Sequence, residues 1–226
     1  MADTARNLES EGLDVVMLGS FNPAIFHPQW FLRQQLIGNE EALDGVVKVV
    51  STEVTEVSFG GLTIVCLHQS LVISTANVAY STKLFDLIDN MLKLLPHIPM
   101  RACGINPSVH YRVQSINYWH KIGHSLAPKD LIWKPLFPEP GMQSLTIKAM
   151  RPDKKPGHIN ITVEPSTLVN PGLYVKTNTH FDVPIELRDA RGTEAVRKFI
   201  QEDSATASIE ARRVAAKIFE EIKPDG

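Results

Sequence analysis

The sequence predicts an α+β fold in which internally duplicated strand-helix-strands-helix units form a mostly antiparallel sheet with helices on one face. Three observations predict it. Short β-branched runs recur between turn residues, as strands do. Apolar positions at helical spacing are confined to a few capped segments. Two sequence matches also share one offset: Phe21-Asn22-Pro23 through His27 matches Ile105-Asn106-Pro107 through His110 at 84 residues, and Leu62-Thr63-Ile64 matches Leu145-Thr146-Ile147 at 83.

In chain order, residues 1–12 read as an acidic, flexible tail, followed by a first half (13–98) and a second half (99–226) packed as one globular unit. Leu13–Phe21 is a Val-rich strand ending at the Asn22-Pro23 turn, and Pro28 suits the first position of a helix running to Gly38. Val46–Phe59 and Leu62–Thr75 form a hairpin about Gly60-Gly61, with Gln69-Ser70 as a place where the return strand could divide. Ser81 is positioned to cap a helix carrying Leu84, Phe85, Ile88, Met91, Leu92 and Leu95, closed by Pro96. Met100–Arg112 is a strand, and Ser115 opens a helix to Leu126. After a proline-rich connector, Met142–Met150, His158–Glu164 and Leu173–Val183 make a three-stranded meander. Helices over 193–201 and 204–222 complete the second half, their stripe of Ala207, Ala211, Val214 and Ile218 being either core or a partner surface. The 112-residue offset between Ser81 and Thr193 implies an extra strand or loop in the second half, and Trp30 and Trp119 are read as paired core anchors.

In element order this resembles the duplicated saddle of the TATA-binding-protein superfamily, although none of that family's base-reading residues has a counterpart here. A split βαβ ferredoxin-like unit over residues 13–112 is the alternative. Ile73–Pro107 (ISTANVAYSTKLFDLIDNMLKLLPHIPMRACGINP) resembles sporadically distributed bacterial proteins with a strand, a long helix and a Gly-x-Asn strand. That likeness implies a bacterial source and carries no activity.

Function is bounded mainly by exclusion. The chain has 226 residues, with 23 Lys and Arg against 25 Asp and Glu, which is the composition of a globular protein able to bury a large core. No apolar run approaches the ~20 residues of a membrane span, and no leader pattern opens the chain, so a cytoplasmic protein without membrane partners is expected. Two isolated cysteines, Cys66 and Cys103, suit buried reduced thiols. Neither a G-x-x-x-x-G-K loop nor a G-x-G-x-x-G or G-x-S-x-G motif is present, so no cofactor and no catalytic residue is predicted.

Charge is uneven along the chain. Residues 1–98 hold five bases against eleven acids (net −6), residues 99–158 nine against three (+6), and residues 159–226 nine against eleven (−2). Lys129, Trp133, Lys134, Lys148, Arg151, Lys154 and Lys155 combine cations with an aromatic ring, a mixture suited to phosphate contacts and base stacking. His120 and His124 have the i, i+4 spacing of metal ligands on a helix, with His27, His110 or His180 as a third. Lys121, however, stands where a metalloprotease needs its glutamate. The leading expectation is a non-enzymatic binding or assembly module acting through a protein partner or a homo-oligomer. Nucleic-acid binding through 129–155 and a metal-dependent hydrolase around His120 and His124 are the alternatives.

Overall fold

The fold is described from a computed structural model covering residues 7–224. Two long antiparallel strands, β1 (Leu8–Gly19) and β6 (Met100–Arg112), lie at its centre, paired from Leu8↔Tyr111 to Gly19↔Met100. Beyond β1 come β5 (Ser70–Thr75), β4 (Leu62–Leu67), β3 (Val54–Phe59) and β2 (Val46–Val50). Beyond β6 come β9 (Gly172–Asp182), β8 (Gly157–Pro165) and β7 (Leu145–Met150), giving one antiparallel sheet of order β2-β3-β4-β5-β1-β6-β9-β8-β7. The six helices are α1 (Pro28–Arg33), α2 (Asn39–Leu43), α3 (Ser81–Leu94), α4 (Ile116–Leu126), α5 (Gly192–Ser208) and α6 (Glu210–Glu221). Each half starts with a central strand, passes through helix, lays down strands that return to that central strand, and ends in helix. This is the expected α+β architecture.

The residues that suggested the repeat are not its equivalent positions. Asn22 lies beyond the end of β1, where its Oδ1 accepts the Ala24 N–H at 3.2 Å, whereas Asn106 sits in the middle of β6. Leu62 opens the second strand out from the centre, whereas Leu145 opens the third. The extra strand, β2, belongs to the first half. The added length of the second half includes the 127–144 connector.

Other boundaries differ for local reasons. β1 begins at Leu8, inside the expected tail, because Glu9 pairs with Arg112 at 2.6 Å and Glu11 with Arg212; residues 1–6 of that tail lie outside the described residues. The long strand expected over 46–59 breaks after Val50, where Ser51 Oγ accepts the N–H groups of Glu53 and Val54 in a side-chain turn. Its partner breaks at His68–Gln69. Gly60 and Gly61 make the hairpin turn at φ +53° and +80°, a region open to glycine at little cost. The helix expected to Gly38 ends at Arg33, and Gly38 instead precedes α2. Ser115 caps α4 as expected by accepting the Tyr118 N–H at 3.2 Å. Ser81 is the first residue of α3, not its cap. The final helix breaks at Ile209, five residues later than expected.

Strand residues alternate between faces, and all the helices pack on one of them. One core joins Leu13, Val15, Met17, Ile64, Ile73 and Phe59 to α1, α3 and α5. The other joins Val109, Tyr111, Leu173 and Val175 to Tyr118 and Ile122 of α4 and to Ala211, Ala215 and Ile218 of α6. Each fully buried Leu, Ile or Phe contributes roughly 1.5–3 kcal/mol relative to exposure. Trp30 and Trp119 pack partly buried against the first and second core respectively, and Trp119 Nε1 donates to the Gly172 carbonyl at 2.9 Å. Ala207, Ala211 and Ile218 are therefore core, with Val214 packed against them. The sheet's other face is left as the broad surface without a helix over it among the described residues. No helix of those residues is long and apolar enough to cross a membrane.

Candidate functional site on the open sheet face

The register aligns polar residues into one row across the open face. Ser58 stands opposite Thr63, Thr63 opposite Ser74, Ser74 opposite Asp14 and Asp14 opposite Asn106. On the far side Asn178 stands opposite Asn160 and Asn160 opposite Lys148. Asn106 and Asn178 close the row between the halves: Asn178 Nδ2 donates to Asn106 Oδ1, and Asn106 Nδ2 donates to Asp14 Oδ2 at 3.0 Å. Lys176 Nζ lies 3.4 Å from both Asp14 oxygens. Asn106 is only 2% exposed, so its amide is fixed by partners from both halves. Asn178 Oδ1 is buried and meets no donor among the described residues.

The flanking rows differ between the halves. Beside the polar row, β3–β5 and β1 present Val54, Val65, Leu67, Val72, Val16 and Leu18, of which Leu67 is 45% exposed. In the second half the matching positions carry His180, His158 and Asp182. The two imidazoles face each other with ring centroids 4.6 Å apart, and His180 Nε2 lies 3.2 Å from Asp182 Oδ1. One donor atom from each of the three lies within 4.8 Å of the others, making them the one His/Cys/Asp/Glu group of metal-binding proximity among the described residues. Partial burial, with the neighbouring His180 and Lys148, holds His158 below the usual histidine pKa. Further along, His110 Nδ1 is 2.9 Å from Ser166 Oγ and its ring lies against Tyr174; burial lowers the His110 pKa and raises that of Tyr174.

The residues singled out from sequence fall in three places. Lys129, Trp133 and Lys134 lie on the connector beside α4. Lys129 is buried and donates to the Gly123 carbonyl, Lys134 pairs with Asp130 at 2.6 Å, and Trp133 is exposed. Lys148 stands on the open face in β7. Arg151, Lys154 and Lys155 belong to the β7–β8 hairpin tip against α5. Arg151 is buried against Asp153 and Asp203, Lys155 holds Asp203 at 2.7 Å and Glu202 at 2.9 Å, and Lys154 is exposed.

His120 and His124 border a small pocket of about 160 Å³ beside α4. His124 pairs with Asp130 at 2.9 Å, while His120 packs on Trp119. His27 caps α1 by accepting the Gln29 N–H, and His180 stands in the cluster on the sheet face. The open-face set escaped sequence reasoning, although its signal was available. Lys176, Asn178, His180 and Asp182 occur at every second position, so a single strand places all four on one face.

No protein-family model matches the chain, and no curated protein matches it.

Proposed function

We propose that this protein is a non-enzymatic binding or assembly module of the bacterial cytoplasm, acting through a protein partner or a second copy seated on the open face of its sheet. The observation that carries this reading is the one-sided packing. All six helices cover one face, while the other keeps a patch of valines and leucines beside a fixed polar row. Such a surface supplies apolar area for affinity and oriented polar groups for register. Two buried free thiols accord with a reducing compartment.

The charge of this face favours protein over nucleic acid. Asp14, Glu56, Glu164 and Asp182 there are matched by Lys148, Lys176, Arg112 and the Lys48 that pairs with Glu56 at 2.8 Å, so the face carries no excess of cations, which phosphate binding needs. Arg151 and Lys155, the core of the basic segment, are taken up by acids of the hairpin and α5.

Size-exclusion chromatography with light scattering, and absorbance at 260 and 280 nm on the same peak, tests the reading. The expected result is a dimer or a protein complex that Val65→Asp/Val72→Asp returns to the 25.1 kDa monomer. Nucleic acid in the peak that leaves at high salt would contradict it, as would an assembly indifferent to those substitutions.

A further inference from the structure

We propose that His158, His180 and Asp182 form a binding site for a divalent transition ion of the zinc class, at the end of the open face formed by β8 and β9. The donor set is two imidazole nitrogens and one carboxylate oxygen, the chemistry that selects zinc, cobalt or nickel over magnesium or calcium.

The backbone holds the set together. His158 and His180 are directly paired across adjacent strands, and Asp182 follows His180 by two residues on the same face. Gly157 fixes the entry of β8: at φ +121° it lies so near the His180 carbonyl that a Cβ would fall 2.0 Å from its oxygen. Any other residue would push β8 away and separate the two rings.

The distances suit an ion. Ligands about 2.0–2.1 Å from a tetrahedral zinc lie about 3.3–3.4 Å from one another. His180 Nε2 and Asp182 Oδ1 are already 3.2 Å apart, and the whole set, within 4.8 Å, closes by side-chain rotation. With three protein ligands, the remaining coordination falls to water. Lys148 stands on the same face, two residues along β7 from the Met150 that pairs with His158, so its positive charge weakens cation binding and its removal strengthens it. The site does not depend on the docking reading, because a metal ion can occupy it whether or not a protein covers the face.

The test is calorimetric titration of chelator-treated full-length protein with Zn²⁺, together with the visible spectrum of the Co²⁺ complex. One equivalent is expected to bind. His158→Ala and His180→Ala should each weaken binding by about tenfold or more, a loss at least as large as that from disturbing an outer-shell partner. His120→Ala/His124→Ala should leave it unchanged, and Lys148→Met should tighten it. Circular dichroism checks that each variant is folded, and Lys148→Met reports on the site without touching a ligand. Absence of saturable binding below about 100 µM, retention of full binding by the His158→Ala/His180→Ala variant, or loss that follows His120 and His124 would each overturn the proposal.

Discussion

Replacing Arg151 by methionine asks whether the basic hairpin tip is a nucleic-acid contact or part of the scaffold. Its side chain is 2% exposed. Nε donates to Asp153 at 3.0 Å, Nη2 donates to Asp203 at 2.8 Å, and the guanidinium carbon lies 5.3 Å from the centre of the Phe199 ring. Methionine keeps the apolar stem and removes the charge. Breaking a buried pair costs about 3–5 kcal/mol when the remaining partner is left without compensation. Here Asp153 is 36% exposed and can rehydrate, and Asp203 keeps Lys155 at 2.7 Å. The expected loss is therefore about 2–3 kcal/mol, a fall in Tm of roughly 4–12 °C for a chain of this size. Urea unfolding at pH 7, with an unchanged m-value, measures it. A loss below about 1 kcal/mol, or intact stability with weakened nucleic-acid binding, would refute the structural role of this arginine.

Three further outcomes are expected. Asn106→Ala removes the link between the halves, leaving Asp14 and Asn178 short of a partner, and should cost about 2–4 kcal/mol in urea unfolding; a neutral result would show that the polar row is not held as described. The Arg151 hydrogen bond lowers the Asp153 pKa from 3.8 to about 2. The stability this provides is complete above the unfolded value and is lost as pH falls from about 5 toward 2; over that range Asp153→Asn should show a shallower acid loss than the native protein, and equal slopes would contradict the pairing. Burial pushes the Cys66 thiol up to about 12 and the Cys103 thiol in the same direction. Thiol reagents at pH 8 should therefore label neither until the protein unfolds, whereas rapid native labelling would place a cysteine at the surface.

Much of the fold was legible because its elements obey local rules. Proline at the start of α1, Ser115 at the cap of α4, the Gly60-Gly61 turn and the apolar spacing of α3 each act within a few residues. The break after Val50 was less visible because it uses Ser51 in place of glycine or proline, whereas the break after Leu67 falls one residue before the Gln69-Ser70 division that the sequence allowed. The start of β1 at Leu8 depends on ion pairs to Arg112 and Arg212, more than 100 residues away. Dependence on strand register hid the candidate site. His158 and His180 become neighbours only through the β8–β9 register, and Asp14 meets Asn106 only through the pairing of the two halves. The basic segment shows the converse: its residues are close in sequence, but the fold divides them among the connector, β7 and the hairpin tip, and sets Arg151 and Lys155 against Asp203.

The central claim, that the open face is the working face, is tested most directly by site-specific photocrosslinking in the cells that make the protein. A photoreactive residue is placed at Val65 or Val72 on that face, and at Lys198 or Arg213 on the exposed side of the helices. The account predicts discrete protein adducts from Val65 and Val72, to one partner or a second copy, and none from the helix positions. Adducts confined to the helix side, or open-face adducts to nucleic acid, would contradict it.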